Sequence, residues 1–263
     1  MKTFRLPATS PDSAAASVLW DSGCLGLVEA AGADGSMTDL VAYFDDEIVL
    51  DLPGYWEDVP DVDYLAAYRE GLMPVRVGKL VVAPSHREVA AQDGDVIVWL
   101  DPGSAFGTGH HETTRMALAA LEATSLRGLS VLDVGSGSGL LAIAADRLGA
   151  EAVYGVDVDP LTLPVARENA ERNRSRARFS LGSLEAPGLP LRFDMVVANL
   201  YAELHAELLG EYVRLLMPGG QLLLTGILAE RQGLVLAAVP AGLEHVRTER
   251  DGEWVLLGFR SAR

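Results

Sequence analysis

The chain has 263 residues, a single cysteine, a formal net charge of −16 and a hydrophobic content of 49%. One cysteine excludes an internal disulfide framework, and the acidic charge argues against a nucleic-acid-binding surface while being compatible with a basic protein partner. No apolar run approaches the ~18 residues of a membrane span, and we expect no signal peptide because the N-terminus lacks an apolar stretch. These features predict a cytoplasmic protein without membrane attachment.

The N-terminal part of the chain predicts a small α+β unit. Lys2–Leu6 alternates like a strand, and the residues from Pro11 to Ser22 predict a helix with Ser10 as its N-cap. Three further strands are predicted between Gly and Asp turns, at 25–31, 38–44 and 47–52. We interpret residues 1–57 as a ferredoxin-like domain, and it is the acidic part of the chain.

A connector follows. Residues 58–74 predict a linker helix that Gly71 and Pro74 end, and "KLVVAP" and "DVIVWLDPG" predict two short strands. The next stretch, "AFGTGHHETTR", contains adjacent histidines at 110 and 111. A helical metal site would need a second histidine four residues later, and Thr114 and Arg115 stand there instead. We therefore predict no metal site. The role of the two histidines stays open between a place over the ligand site and a helix cap with a solvated neighbour.

From Ser130 onwards, apolar runs alternate with helical segments. This pattern predicts a parallel sheet covered on both faces. The tail "EHVRTERDGEWVLLGF" reads as two strands joined by a hairpin turn. Residues 75–263 are therefore predicted to form a Rossmann-like, doubly wound, mostly parallel sheet that ends in an antiparallel hairpin.

The stretch "VLDVGSGSG" lies at a predicted strand-to-helix turn, where open α/β sheets bind ligands. Gly135 and Gly137 would let the backbone approach a ligand closely. The dinucleotide fingerprint needs a third glycine where Leu140 stands, and Asp133 before the turn favours an ammonium over a pyrophosphate. A purely structural turn is the alternative interpretation.

Three polar residues follow the next three predicted strands. Asp157 can accept both hydroxyls of a ribose, although Asp157 and Asp159 could instead cap the following helix. Ser183 would lie beside an adenine, or in a surface turn. Asn199 could accept hydrogen bonds from an amine and orient its lone pair, or could simply form a turn.

Together these stretches resemble the class I S-adenosylmethionine-dependent methyltransferases. "DPGSAFGTGHHETT", "VANLYAELH" and the acidic N-terminal unit resemble, more specifically, the PrmA-type family that methylates ribosomal protein L11. The resemblance implies S-adenosyl-L-methionine as cofactor and N-methylation of lysine side chains and of the N-terminal amine of L11. It also implies a substrate-recognition domain at 1–57, a linker helix at 58–74 and a catalytic domain at 75–263.

The resemblance also assigns residues. Asn199 would be catalytic, and Phe106, Gly107 and Thr108 would line the methyl-transfer mouth. The cofactor-binding set would comprise Phe106, Thr114, Gly135, Gly137, Asp157, Ser183 and Asn199. We expect a monomer that binds L11 and no nucleic acid directly.

Several points stay open from sequence. "NLYA" lacks the two prolines that related enzymes acting on adenine or glutamine amides carry there, and Tyr201 is assigned a packing role. His110, Glu203 and His205 are candidate general bases by neighbourhood only. The acceptor could be another basic protein or a small-molecule amine. A nicotinamide-dependent oxidoreductase and a non-catalytic binding module are the rival classes.

Overall fold

The computed structural model describes residues 2–10, 13–31, 38–58, 71–101, 109–186 and 188–262. The chain divides into two compact units, Met1–Ala67 and Tyr68–Arg263, which are described separately below. Most of the predicted linker helix at 58–74 lies outside the described residues. No helix in the described part of the chain is long and apolar enough to span a membrane.

The first unit contains a four-stranded antiparallel sheet and one described helix. Its elements are β1 Lys2–Leu6, α1 Ala14–Asp21, β2 Gly26–Ala31, β3 Thr38–Phe44 and β4 Tyr55–Asp58. The sheet order is β2-β3-β1-β4, which is the strand order of a ferredoxin-like fold. The second helix of that fold would lie between β3 and β4, where the described residues 45–54 contain no helix.

Two local predictions in this unit are wrong. The strand expected at 47–52 does not form, and β4 pairs with β1 instead. Aromatic packing explains the difference, because Trp56 of β4 makes edge contacts with Phe4 and Phe44 at ring-centroid distances of 5.1 and 5.3 Å. In the run 47–52, Leu50 and Leu52 pack against the core of this unit without forming a strand, and Val49 is fully exposed.

The predicted helix N-cap is the second correction. The N-cap of α1 is Ser13 rather than Ser10, and its side chain makes no capping hydrogen bond. The Ser13 N–H donates to the Ser10 carbonyl at 3.0 Å, so a turn precedes the helix. The helix therefore begins one turn later than the sequence pattern predicts.

A three-stranded sheet opens the second unit. Its strands are β5 Val75–Val77, β6 Leu80–Ala83 and β7 Val96–Trp99. The strand β5 runs antiparallel to β6, and β6 runs parallel to β7. The two predicted strands correspond to β6 and β7, whereas β5 was not predicted.

The rest of the second unit alternates strands and helices. The helices are α2 Glu112–Glu122, α3 Leu140–Arg147, α4 Thr162–Arg172, α5 Ala202–Leu215 and α6 Gln232–Ala237. The strands are β8 Ser130–Val134, β9 Ala152–Asp157, β10 Arg178–Leu181, β11 Phe193–Asn199, β12 Leu216–Leu228, β13 Leu243–Asp251 and β14 Trp254–Ser261. They form one seven-stranded sheet in the order β10-β9-β8-β11-β12-β14-β13.

This sheet confirms the predicted Rossmann-like architecture. All neighbouring strands are parallel except at β14, which is antiparallel to β12 and to β13. Side chains of β11 alternate between two hydrophobic cores, with Met195 and Val197 in one and Val196 and Ala198 in the other. A strand buried on both faces is what a continuous apolar run in a doubly wound fold encodes.

Two buried asparagines of the α4 segment hold the small sheet in place. The Asn173 side chain accepts from the Trp99 N–H at 2.8 Å and donates to the Trp99 carbonyl at 2.6 Å. The Asn169 side chain accepts from the Asp101 N–H at 3.1 Å and donates to the Ser138 carbonyl at 3.0 Å. The end of β7 is thereby tied to α4 and to the glycine-rich loop.

We expect Asn173→Ala to lower the free energy of unfolding by about 1–3 kcal/mol, because it leaves the two peptide groups of Trp99 without these partners. Urea unfolding measures the change. Arg174→Ala is the control, since this neighbouring side chain is exposed and its loss should change stability by less than about 0.5 kcal/mol. Equal stability of the two variants would contradict the structural role of Asn173.

Candidate active site

A cavity of about 550 Å³ lies at the carboxyl ends of β8, β9, β10 and β11. The strand β8 is flanked by β9 on one side and β11 on the other, which is where chain order reverses and where open α/β sheets bind ligands. Six predicted site residues line this one cavity: Thr114, Gly135, Gly137, Asp157, Ser183 and Asn199. Phe106, Gly107 and Thr108 lie outside the described residues.

The glycine-rich loop is packed too tightly for side chains at two positions. Gly135 has φ +72°, and a Cβ there would lie 2.6 Å from Leu200 Cδ2. Gly139 has φ +81°, and a Cβ there would lie 2.8 Å from Phe179 Cζ. The backbone angle favours glycine at both positions, and a Cβ would also displace the ends of these neighbouring side chains.

The Asp157 carboxylate joins this loop to the end of β9. Its Oδ2 accepts from the Gly137 N–H at 2.8 Å, and its Oδ1 accepts from the Asp159 N–H at 3.0 Å. A carboxylate has about four acceptor sites, so capacity remains for ligand hydroxyls. The Asp159 side chain accepts from the Leu161 N–H at 2.9 Å, so it is mainly Asp159 that stabilises the turn into α4.

Asp133 is a buried carboxyl group in the cavity wall. Its Oδ2 accepts from the Ala142 N–H at 3.0 Å, whereas its Oδ1 receives no hydrogen bond from any described residue. Burial raises the pKa of Asp133 to about 7; the Ala142 N–H opposes this shift and the nearby Asp157 carboxylate adds to it. An orphaned carboxyl oxygen of this kind suits a cationic ligand group.

The charge of the cavity wall has one sign. The described lining residues include three carboxylates, at Asp133, Asp157 and Asp159, and no lysine, arginine or histidine. A pyrophosphate would be repelled by such a wall, whereas a cation would be attracted. This distribution supports the sequence argument against a nicotinamide dinucleotide.

Asn199 ends β11 at the mouth of the cavity. Its Nδ2 donates to Thr114 Oγ1, in the first turn of α2, at 3.3 Å. A Cβ at Gly226 would lie 2.8 Å from Asn199 Oδ1, so the amide packs closely against β12. Because the Asn199 nitrogen is hydrogen-bonded to Thr114, the side-chain carbonyl oxygen is the atom of this amide that can accept a hydrogen bond from a ligand.

Comparison with known proteins identifies the family. The family model described as ribosomal protein L11 methyltransferase (PrmA) matches residues 26–262. The enzyme of that name from Thermus thermophilus is 48% identical over 244 residues, covering 92% of each chain. The chain belongs to the ribosomal protein L11 methyltransferase family.

Further relatives agree. The ribosomal protein L11 methyltransferase of Deinococcus radiodurans is 42% identical over 261 residues and again covers 92% of each chain. The crystal structure of ribosomal protein L11 methylase from Lactobacillus delbrueckii subsp. bulgaricus matches with a TM-score of 0.66 and 30% identity. That match covers 73% of this chain and 100% of the other. The sequence-based resemblance to this family is confirmed.

The paired histidines of this family member have structural contacts. His111 is the N-cap of α2 and accepts from the Thr113 N–H at 3.3 Å, and its ring makes an edge contact with Trp254. The His110 carbonyl accepts from the Arg115 guanidinium. The expectation of a helix cap is confirmed for His111. Among the residues that the structure describes, no cluster of three His, Cys, Asp or Glu could hold a metal.

Two candidate bases and one packing assignment need correction. His205 is fully buried, with Nε2 donating to the Thr225 carbonyl at 2.9 Å, and burial lowers its pKa to about 4. Glu203 pairs with Arg231. Neither arrangement leaves a free base at the cavity.

The Tyr201 side chain is 59% exposed, so the packing role predicted for it is wrong.

An apolar wall of the cavity was missed from sequence. Leu200, Leu204 and Leu208 line the cavity together with Leu140 and Leu141. Leu204 and Leu208 are spaced four residues apart in the first two turns of α5, a helical stripe that could have been recognised, and Leu200 lies just before the helix. Which side of the sheet that stripe faces depends on the chain path, so the pattern alone does not place it in the site.

We expect the stability of the ligand-free protein to fall with rising pH because of Asp133. The pKa of Asp133 is raised in the folded protein. Its contribution to the free energy of unfolding is therefore full below about pH 4 and is lost as pH rises through about 7. Relative to Asp133→Asn, the wild-type protein should lose up to about 4 kcal/mol over this window. Urea unfolding of both proteins at several pH values measures it, and a pH-independent difference would disprove it.

Proposed function

We propose that the protein transfers methyl groups from S-adenosyl-L-methionine to lysine side chains and to the N-terminal amine of ribosomal protein L11. The observation that carries this proposal is the acidic crevice, with an orphaned buried carboxyl oxygen at Asp133, in a chain of the L11 methyltransferase family. Such a crevice suits a nucleoside that carries an ammonium and a sulfonium.

The cavity residues fit this cofactor group by group. Asp133 would take the ammonium, Asp157 the ribose hydroxyls, and the backbone of Gly135 and Gly137 would lie against the ligand. Ser183, which is exposed at the cavity rim, would lie beside the adenine. When bound, S-adenosyl-L-methionine supplies an activated methyl group on a sulfonium.

The protein's own task is to position a neutral amine. A free lysine has a pKa of about 10.4, so most of it is protonated at neutral pH and cannot attack. The apolar wall of Leu200, Leu204 and Leu208 lowers the polarity of the crevice and favours the neutral form. The Asn199 carbonyl oxygen accepts an amine N–H and so directs the nitrogen lone pair. The proton that the acceptor ammonium loses passes to solvent water.

The N-terminal unit is proposed to recognise the substrate. In this scheme residues 1–57 bind L11, residues 58–74 form a linker helix, and residues 75–263 carry the chemistry. The loop after β3 supports docking of a basic protein, because Asp45, Asp46 and Glu47 are all exposed. We further propose that the enzyme acts as a cytoplasmic monomer that binds no nucleic acid directly. Another basic protein or a small-molecule amine is the alternative acceptor.

The deciding experiment is methyl incorporation into purified ribosomal protein L11, followed by mass mapping of the product. We expect labelled lysines and N-terminus with the wild-type enzyme. Asp157→Ala should weaken S-adenosyl-L-methionine binding by at least about tenfold in calorimetry, whereas Asn199→Ala should lower kcat about a hundredfold. Methylation of a small amine with L11 left unlabelled would reject the proposed acceptor.

Neutralising the acidic loop tests the recognition role. The triple variant Asp45→Asn/Asp46→Asn/Glu47→Gln should raise KM for L11 about three- to tenfold and weaken its salt dependence, with kcat unchanged. The matched control neutralises three exposed carboxylates of the second unit: Glu88→Gln/Asp93→Asn/Glu151→Gln. If the control raises KM as much as the loop variant does, net charge rather than the N-terminal unit governs docking.

A further inference from the structure

The strand β12 contains an irregularity directly beside the proposed catalytic asparagine. Its antiparallel register with β14 shifts between Leu224 and Ile227. On its other edge β12 pairs continuously with β11 from Met195 to Asn199, where Thr225 is paired with Asn199. A bulge of this kind re-aims backbone and side-chain groups, and bulges are frequent next to active sites.

The buried Thr225 in this bulge connects three elements. Its carbonyl oxygen accepts from the Leu200 N–H at 3.0 Å and from His205 Nε2 at 2.9 Å. Its hydroxyl donates to the Thr113 carbonyl at 3.3 Å. The end of β11, the helix α5 and the first turn of α2 therefore share one residue as their hydrogen-bonding partner.

Gly226 makes the closest approach to Asn199. It has φ +83°, and a Cβ at this position would lie 2.4 Å from the Leu200 carbonyl oxygen and 2.8 Å from Asn199 Oδ1. A left-handed backbone without a side chain is therefore needed for the bulge to pack under Asn199 and Leu200. Any displacement of the bulge would be transmitted directly to that amide.

His205 is the side chain that fixes the bulge from the helix side. It is fully buried, and the Tyr212 hydroxyl lies 3.4 Å from Nδ1, which leaves Nε2 as the nitrogen that carries the proton. Burial lowers the pKa of His205 to about 4, although the carbonyls of Thr225 and Leu200 favour the charged ring. The imidazole is thus a permanent neutral donor to the Thr225 carbonyl at neutral pH.

We propose that His205 is a positioning residue for Asn199, holding the Thr225–Gly226 bulge against the end of β11 so that the Asn199 amide keeps its orientation toward Thr114. This inference rests on the proposed function, in which Asn199 directs the acceptor amine. It assigns His205 no proton transfer. The competing view is that His205 merely fills the core.

The two views differ in what a substitution changes. A core-filling histidine affects stability, whereas a positioning histidine affects turnover in a protein that remains folded. His205→Phe keeps an aromatic ring, slightly larger than imidazole, but removes the donor, and His205→Gln keeps a donor near the Nε2 position. We expect kcat to fall ten- to a hundredfold in His205→Phe and to stay within about threefold in His205→Gln. The Kd for S-adenosyl-L-methionine should stay within about threefold of wild type in both variants.

A glycine pair provides an independent test should His205→Phe not fold. Gly226→Ala introduces the Cβ that meets Asn199 and Leu200, and it should lower kcat at least tenfold with cofactor Kd preserved. Gly210→Ala is the matched control, because a Cβ on this exposed α5 residue meets nothing within 4 Å. Its kcat should equal that of wild type.

The outcomes separate this inference from the proposed function. Wild-type enzyme that leaves L11 unlabelled contradicts the proposed function. Crystal structures of wild type and His205→Phe then decide the positioning role alone, through the distance between Asn199 Nδ2 and Thr114 Oγ1, and an unchanged distance overturns it. If wild type is active and a folded His205→Phe retains full kcat, the positioning role is likewise overturned; should that variant not fold, full kcat in Gly226→Ala overturns it.

Discussion

The Asp157 carboxylate is the interaction on which the crevice depends. It accepts backbone N–H groups from Gly137 and from Asp159, and so joins the loop after β8 to the loop after β9. Gly135 and Gly139 have left-handed backbones that favour glycine, and the loop is held in part through its peptide groups. One carboxylate thus shapes the ligand site and keeps acceptor capacity for the ligand.

The sign of the charge in the crevice follows from where the carboxylates lie. Asp133 is buried near Asp157, and this arrangement raises the pKa of Asp133. Burial is the main cause of this shift and the Asp157 carboxylate adds to it, and a cation beside Asp133 would offset both. The site is therefore electrostatically strained without a cationic ligand and relaxed with one. The same fold binds dinucleotides in other proteins. Here the acidic residues at the strand ends, rather than the topology, make the site selective for a cationic ligand.

Sequence patterns predicted the second unit well and its fine structure poorly. Apolar runs locate the strands because burial on both faces requires them, and Asp157 and Asn199 follow from their places at strand ends. Thr114 was assigned only by the resemblance to the family. The true β4 carries Trp56, whose contacts with Phe4 and Phe44 are distant in sequence and outweigh local strand propensity. The burial of His205 and the bulge at Gly226 depend on how α5 crosses the sheet. An isolated glycine in "LLLTGIL" was the only local sign of that bulge.

The polar groups of the crevice are divided in a way that suits transfer to an amine. Asp133 and Asp157 lie at the ends of β8 and β9, whereas the group that ends β11 is the neutral amide of Asn199, hydrogen-bonded to the neutral hydroxyl of Thr114. A carboxylate in the place of Asn199 would stabilise an ammonium and keep the acceptor protonated. An amide oxygen accepts the same hydrogen bond with far less charge, so it can orient an amine without raising its pKa strongly. In the proposed reaction, the acidic half of the site therefore holds the cationic cofactor, and the neutral half receives the nucleophile.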